Sequence, residues 1–271
     1  MKRSVFFVSD RTGITAETLG HALLTQFEHV EFERINCPFT DSAERVAAVV
    51  EQINRAAARG GGRPLVFSSL VNPGLREQVG RCDGVLFDLF DAFISPLEAE
   101  LGVRSSQSVG RSHGMGVYST YKTRIDAVNF VLANDDGVST RRYPEADILL
   151  IGVSRSGKTP TCLYLALHYG ILAANYPLTE DDIGTHRLPE KLVPHRDKLF
   201  GLTIDPVRLQ QIRKERRPNS NYASVEQCRH EVQTVEALYR RERIPFLDTS
   251  TVSIEEIATT ILQKTNLQRR I

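Results

Sequence analysis

One stretch near the middle of the chain decides the fold: ILLIGVSRSGKT, residues 148–159. It opens with four apolar residues in a row, which is typical of a strand buried on both faces of a parallel sheet. The other eight residues fill the pattern GxxxxGK followed by Ser or Thr, in which a glycine-rich loop cradles phosphate groups. The stretch therefore predicts a buried strand, a phosphate-binding loop (P-loop) and a helix, in that order.

The residues of this loop are expected to share the binding of a nucleotide phosphate. Glycines let the loop wrap a phosphate without Cβ clashes, its backbone N–H groups form an anion nest, and the helix N-terminus adds a positive dipole end. Lys158 is expected to act as a catalytic residue on the terminal phosphoryl oxygens, and the Thr159 hydroxyl to hold Mg²⁺. The alternative is a glycine-rich turn with a lysine at its mouth. The expected nucleotide-binding residues are Gly152, Val153, Ser154, Arg155, Ser156, Gly157, Lys158 and Thr159.

Pro160 follows the loop directly and removes one hydrogen-bond donor from it. Proline is tolerated in the first helical turn because the N–H groups there have no intrahelical partner. The same N–H could have donated to a phosphate, so more of the binding is expected to fall on the side chains of Ser154, Arg155 and Ser156.

Strand-like and helix-like segments alternate on both sides of the loop, which predicts an α/β fold with parallel sheets. Strands are expected at 5–8, 30–37, 64–70, 84–89, 148–151, 171–175, 199–204 and 245–247. Helices are expected at 14–28, 41–59, 121–133, 159–169, 206–217, 224–241 and 253–267. We expect an N-terminal parallel α/β domain over residues 1–140, with a glycine-rich loop towards its end. A P-loop kinase-like α/β domain is expected over residues 141–271.

The middle of the chain is less regular than either half. Residues 101–121 hold several glycines among serines, which is typical of a functional loop or a linker. The helix expected over 121–133 is followed by Asn134-Asp135-Asp136-Gly137, a sequence with the residues of a turn.

The composition limits the possible partners. The chain has 34 Lys and Arg against 33 Asp and Glu, a net charge of +1, which argues against a nucleic acid bound through a general basic surface. No apolar run approaches the roughly 18 residues of a membrane span. The cysteines are far apart, without zinc-site spacing, and are expected to be reduced thiols. We therefore expect a cytoplasmic protein with no nucleic-acid or membrane partner.

Two further residues are candidate catalytic groups. Asp10 follows the first predicted strand, where open α/β sheets place functional groups, and is a candidate base or phosphate-site residue. The alternative for Asp10 is an Asx turn or a helix cap. His113 lies in the glycine-rich loop and is a candidate acid, base or phosphate ligand, the alternative being an ordinary surface histidine.

The segment after the strand predicted at 199–204 carries both an acid and a run of basic residues. Asp205 could order Mg²⁺, but Asp205-Pro206 also has the pattern of a helix N-cap followed by proline, and this second interpretation is favoured. The basic residues could contact phosphate or an acidic partner, whereas most charge runs are solvated surfaces. They are Arg208, Arg213, Lys214, Arg216 and Arg217.

Two motifs together resemble those of the phosphoenolpyruvate synthase regulatory proteins. The first is SDRTGITAE at 9–17, and the second is GVSRSGKTPTCLYLA at 152–166, followed by ANYPL at 174–178. The likeness extends from Val5 to the IEEIA segment at 254–258. A sister group that acts on pyruvate, phosphate dikinase usually has Ser-Lys-Thr where this chain has Gly157-Lys158-Thr159, so the resemblance favours the synthase-directed group.

This resemblance implies a bifunctional enzyme with phosphoenolpyruvate synthase as its protein substrate. One activity would use ADP to phosphorylate a threonine of the target and inactivate it. The other would use inorganic phosphate to remove that group, releasing pyrophosphate and restoring activity. The family motif also strengthens the catalytic interpretation of Asp10. A P-loop already holds the β-phosphate that is terminal in ADP, so one anion site could serve both directions.

Two other functions are compatible with the residues alone. The first is a P-loop kinase of small molecules, for which the second domain is rather short. The second is a nucleotide-binding switch protein that transfers no phosphate. An additional α/β domain and a glycine-rich loop favour a protein-sized substrate, and whether the chain forms a homodimer is left open.

Overall fold

The computed structural model describes residues 2–106, 118–184, 187–218 and 220–271. The chain forms two compact units, Met1–Gly114 and Met115–Ile271. Each has a sheet of four parallel strands, which confirms the predicted α/β class. Helix Tyr118–Ala133 lies in the second unit, although the predicted boundary near residue 140 assigned it to the first.

In the first unit, the strands follow the order β2-β1-β3-β4. They are β1 (Lys2–Val8), β2 (Glu31–Cys37), β3 (Leu65–Ser68) and β4 (Val85–Asp88). The helices are α1 (Ile14–Leu24), α2 (Ala43–Ala58), α3 (Pro73–Val79) and α4 (Leu89–Leu101). Four strands and two helices agree with the predicted segments, whereas α3 and α4 were not predicted.

Local sequence explains where these helices begin. Ser42 caps α2, its side chain accepting a hydrogen bond from the Arg45 N–H, and the buried residues of α2 recur at helical spacing. Asn72 and Asp88 cap α3 and α4 in the same way. Of the two unpredicted helices, α3 is only seven residues long, and α4 contains Pro96, a residue type that usually ends or kinks a helix.

In the second unit, the strands follow the order β6-β5-β7-β8. They are β5 (Ile148–Gly152), β6 (Ala173–Pro177), β7 (Leu199–Thr203) and β8 (Phe246–Asp248). The helices are α5 (Tyr118–Ala133), α6 (Lys158–Tyr169), α7 (Glu180–Gly184), α8 (Pro206–Arg216), α9 (Val225–Glu242) and α10 (Ile254–Thr265). All but the short α7 correspond to predicted segments.

Strand β5 is the central feature of this unit. All five of its residues are buried, as its unbroken apolar run predicts. Leu149 and Ile151 pack into a core on one face of the sheet, and Ile148 and Leu150 into a core on the other. Helix α6 follows β5 and packs against α5 and α10.

The strand order places the carboxyl end of β5 where ligands bind in open parallel sheets. The chain leaves β5 for β6 on one side and then returns to β7 on the other, so the connections diverge at the end of β5. The loops that follow β5 and β7 leave the sheet at this edge, because the two strands are parallel neighbours. Within the described residues, none of the helices is long and apolar enough to cross a bilayer.

Gly20, in α1, lies at a closely packed position of the first unit, and its substitution tests that packing. A Cβ at this position would lie 2.4 Å from Cε1 of Phe7 and 3.1 Å from Cδ2 of Phe67. Ala is normally favoured over Gly in a helix by about 1 kcal/mol. We expect Gly20→Ala to lower the free energy of unfolding instead, by about 1–3 kcal/mol, because the core is overpacked. Urea unfolding monitored by circular dichroism measures the change.

Gly184, at the end of α7, is the matched control, because no side chain or distant backbone atom of the described residues lies within 4 Å of an added Cβ there. We expect Gly184→Ala to leave the free energy of unfolding nearly unchanged. Stabilisation by Gly20→Ala would contradict the packing described for α1.

Candidate functional site

The β5–α6 loop, residues 153–157, turns the chain sharply from the central strand into a helix. Gly157 is the N-cap of α6 and has φ +88°, a left-handed conformation that favours glycine. Arg155 also has a positive φ, +75°, which is costly for a residue with a side chain and is typical of functional loops. Among the described residues, no side chain caps α6, so its first N–H groups are available to a ligand.

Lys158 is held inside this loop. Its side chain is almost fully buried, and Nζ donates hydrogen bonds to the carbonyl oxygens of Gly152 (3.1 Å) and Val153 (2.9 Å). Burial lowers the pKa of Lys158 to about 8, because the ammonium form loses its hydration. The two carbonyl oxygens carry only partial negative charges. A phosphate oxygen bound in the loop would pair this ammonium with a full negative charge.

The hydroxyl of Ser156 is a second polar group inside the loop. It is buried and has no hydrogen-bond partner among the described residues. The carbonyl oxygen of the same residue accepts a hydrogen bond from Thr249 Oγ1, which follows β8. A buried hydroxyl is costly without a partner, so a ligand oxygen in the loop would remove an unfavourable contribution.

A hydrogen bond from Thr159 connects the first turn of α6 to the segment that precedes β5. Its Oγ1 donates a 2.8 Å hydrogen bond to Oδ1 of Asp135. The Nδ2 of Asn175, in β6, donates to the same carboxylate oxygen. The hydroxyl of Thr159, in the first turn of α6, therefore lies beside the carboxylate of Asp135, in the turn after α5.

The turn that carries this carboxylate is fixed to β6. Residues Asp135–Gly137 form a single 3-10 turn, in which Asp136 has a left-handed φ of +50°. The N–H of Asp136 donates a 3.0 Å hydrogen bond to Oδ1 of Asn175. The predicted turn after α5 is confirmed, but its contact with Thr159 was not predicted.

A buried ion pair supports the other side of the loop. The Arg213 side chain, in α8, is fully buried and forms two hydrogen bonds to Glu231 of α9, at 2.6 and 3.0 Å. Its Nη2 also donates to the carbonyl oxygen of Ser154, at 3.2 Å. Tyr222 stacks on the Arg213 guanidinium at 4.1 Å and donates through its hydroxyl to Ser154 Oγ. Arg213 therefore fixes the backbone of Ser154, and Tyr222 fixes its side chain.

This arrangement revises the interpretation of the basic run at 208–217. Arg213 is buried beneath the loop, whereas Arg208, Lys214, Arg216 and Arg217 are exposed. Asp205 caps α8 through Oδ1, which accepts hydrogen bonds from the N–H groups of Val207 and Arg208. The favoured N-cap interpretation of Asp205 is confirmed.

Asp10 lies in the first unit, just beyond β1. It is buried, and its Oδ2 accepts a 3.1 Å hydrogen bond from the N–H of Val71, which joins the loops after β1 and β3. It lines a small pocket together with Ser9, Gly13, Ser69 and other residues of these loops. The cap of α1 is Gly13, so the helix-cap alternative for Asp10 is wrong. His113 lies outside the described residues.

The described residues include no group of three or more His, Cys, Asp and Glu side chains that could hold a metal ion on their own. Mg²⁺ at a nucleotide site needs less, because it retains waters and takes ligands from the phosphates and from one or two protein oxygens. The hydroxyl of Thr159 beside a carboxylate is a donor set of this kind.

The sequence motif identifies the β5–α6 loop but not its supports. Asp135 contacts Thr159 directly, whereas Asn175 acts through Asp135 and Glu231 through Arg213. These residues are distant in sequence from the motif, so no local pattern predicts their contacts. For Asn175 the sequence did contain a signal, because this residue lies in the ANYPL motif on which the family resemblance partly rests.

Comparisons with known proteins agree on one family. The model of a family described as Kinase/pyrophosphorylase matches residues 5–262. A relative from Marinobacter nauticus is 57% identical over 269 residues, which is 99% of each chain. One from Legionella pneumophila (strain Corby) is 57% identical and one from Hahella chejuensis 55% identical, each over the full length of both chains. All three are named "Putative phosphoenolpyruvate synthase regulatory protein".

Removing Glu231 tests the support of the loop. We expect Glu231→Ala to lower the free energy of unfolding of the second unit by about 3–5 kcal/mol, because Arg213 becomes an unpaired buried charge. Thermal and urea unfolding measure the loss. The control is Glu145→Ala, which breaks an exposed pair with Arg142 and should leave stability nearly unchanged. Equal effects of the two substitutions would contradict the supporting role of the Arg213–Glu231 pair.

Proposed function

The chain belongs to the kinase/pyrophosphorylase family, and we propose that it is a bifunctional regulator of phosphoenolpyruvate synthase. The family match extends over nearly the whole chain and confirms the resemblance seen in its motifs. The names of its relatives support the synthase as the partner. The observation that carries the proposal is the buried Lys158 in a glycine-capped loop at the end of a central parallel strand.

In the kinase direction, the hydroxyl oxygen of a target threonine attacks the β-phosphorus of ADP. The new P–O bond gives phosphothreonine, the bond between the β-phosphorus and the bridging oxygen breaks, and AMP leaves. The hydroxyl proton passes to a base, for which Asp10 and His113 remain the predicted candidates. Phosphorylation inactivates the target.

In the pyrophosphorylase direction, an oxygen of inorganic phosphate attacks the phosphorus of phosphothreonine. The bond to the threonine oxygen breaks, that oxygen takes a proton, and pyrophosphate leaves. The target regains activity. Both directions place one phosphoryl group between two oxygens, so a single anion site meets the needs of each.

The residues of the loop bind and orient the phosphates. Lys158 exchanges its backbone carbonyl partners for phosphoryl oxygens, and the backbone N–H groups of the β5–α6 loop and of the first turn of α6 donate to the remaining oxygens. Thr159 would hold Mg²⁺, which when bound neutralises charge on the phosphoryl oxygens. The rigid loop fixes the reacting phosphate before the target arrives, which lowers the entropic part of the barrier.

Small-molecule kinases and non-catalytic switch proteins are the competing functions. The first unit, with a complete parallel sheet of its own, is more than a small P-loop kinase requires, and this favours a protein substrate. Incubation with β-labelled ADP or γ-labelled ATP, with and without phosphoenolpyruvate synthase, separates the three. We expect labelled phosphothreonine on the synthase with ADP only. Absence of label on the synthase under every condition would contradict the proposal.

Lys158→Ala tests whether one site serves both directions. We expect both activities to fall by a factor on the order of 10²–10³, because the same ammonium stabilises phosphoryl charge in each. Phosphothreonine formation and pyrophosphate release are measured separately. Lys264→Ala, at an exposed position in the last turn of α10, is the control and should retain both. Survival of either activity in Lys158→Ala would contradict the single-site mechanism.

A further inference from the structure

We infer that Asp135 is the carboxylate that binds a divalent cation together with Thr159 at the nucleotide site. The inference rests on the proposed nucleotide binding and adds to it a metal ligand from outside the loop motif. It is carried by one contact, the 2.8 Å hydrogen bond between Thr159 Oγ1 and Asp135 Oδ1.

The position of this carboxylate is the first argument. Thr159 lies in the first turn of α6, where the loop motif places a hydroxyl for Mg²⁺. A carboxylate that is hydrogen-bonded to that hydroxyl is close enough for both oxygens to bind the same cation. Mg²⁺ prefers oxygen ligands and usually takes one or two carboxylates beside substrate phosphates.

Charge is the second argument. A diphosphate held by the β5–α6 loop would lie close to Asp135, and the two anions would repel each other. Asp135 is hydrogen-bonded to Thr159, the residue directly after Lys158, and this contact places its charge beside the loop. A divalent cation between Asp135 and the phosphates turns this repulsion into two favourable contacts.

A buried asparagine positions the carboxylate. Asn175 is fully buried and binds the Asp135 side chain through its amide nitrogen and the Asp136 N–H through its amide oxygen. One side chain therefore fixes both the carboxylate and the turn that carries it. Such second-layer hydrogen bonds are the usual means of orienting a metal ligand.

Asp205 is the other acid that could take this role, because it follows the strand next to β5. Its Oδ1 is already used to cap α8, and the residue is exposed. The acid that contacts Thr159 thus enters from the turn before β5, on the β6 side of the sheet, and not from the end of β7.

Two binding measurements test the role of Asp135 without reference to catalysis. The first is calorimetric titration of the full chain with ADP, in MgCl₂ and in EDTA. The second is binding of Mn²⁺ to the protein–ADP complex, followed by the loss of the free Mn²⁺ signal in electron paramagnetic resonance. The variants are Asp135→Asn, which retains the hydrogen-bonding shape, and Asp205→Asn, in which asparagine still caps α8.

We expect the wild type and Asp205→Asn to bind ADP more tightly with Mg²⁺ than with EDTA, and Asp135→Asn to lose this difference. Mn²⁺ should bind at least about tenfold more weakly to Asp135→Asn, since even loss of an outer hydrogen-bond partner can cost that much. If Asp135→Asn does not fold, Asp135→Ser is measured in its place.

The outcomes separate this inference from the proposed function. A full Mg²⁺ effect and unchanged Mn²⁺ affinity in Asp135→Asn would overturn the inference alone. Loss of the Mg²⁺ effect in Asp205→Asn, with Asp135→Asn unaffected, would assign the role to the other acid. Failure of the wild type to bind ADP under either condition would overturn the proposed function, and the inference with it.

Discussion

The ammonium group of Lys158 is almost completely removed from water, and this burial constrains the rest of the site. Its described hydrogen-bond partners are the carbonyl oxygens of Gly152 and Val153, which carry only partial charges. Desolvation lowers the pKa of the lysine, so the protonated form gains stability when an anion arrives. We therefore expect the loop to prefer ligands that place a negative charge next to Nζ of Lys158.

The loop can bind a phosphate only if its backbone keeps its shape around Lys158. Arg213 and Tyr222 hold Ser154 from one side, and Thr249 holds the carbonyl oxygen of Ser156 from another. The left-handed conformation of Arg155 persists because these contacts determine the backbone around it. The stability of the second unit is in this way coupled to the geometry of the site, since the buried Arg213–Glu231 pair belongs to both.

The sequence was most informative where local pattern and tertiary structure coincide. The apolar run before Gly152 predicts a strand buried on both faces, and the motif after it predicts the loop and α6. Helix α4 was not predicted, although its apolar residues recur at helical spacing. It contains Pro96, and proline usually ends or kinks a helix.

Contacts between distant segments could not be predicted from local pattern. Asp135 read only as part of a turn, and its contact with Thr159 exists because α5 and β6 place that turn beside α6. Arg213 was predicted only as one of five basic residues that could contact phosphate or an acidic partner, and its buried pairing was missed because Glu231 lies on the next helix. Charge and periodicity describe one element at a time, whereas the residues that support this loop come from several elements.

The central claim is that one anion site per chain serves both the nucleotide and the phosphate chemistry. Calorimetric competition between ADP and pyrophosphate in the presence of MgCl₂ tests it most directly. We expect each ligand to bind with a stoichiometry of one per chain and saturating pyrophosphate to abolish the binding of ADP. Simultaneous binding of ADP and pyrophosphate to the same chain would contradict it.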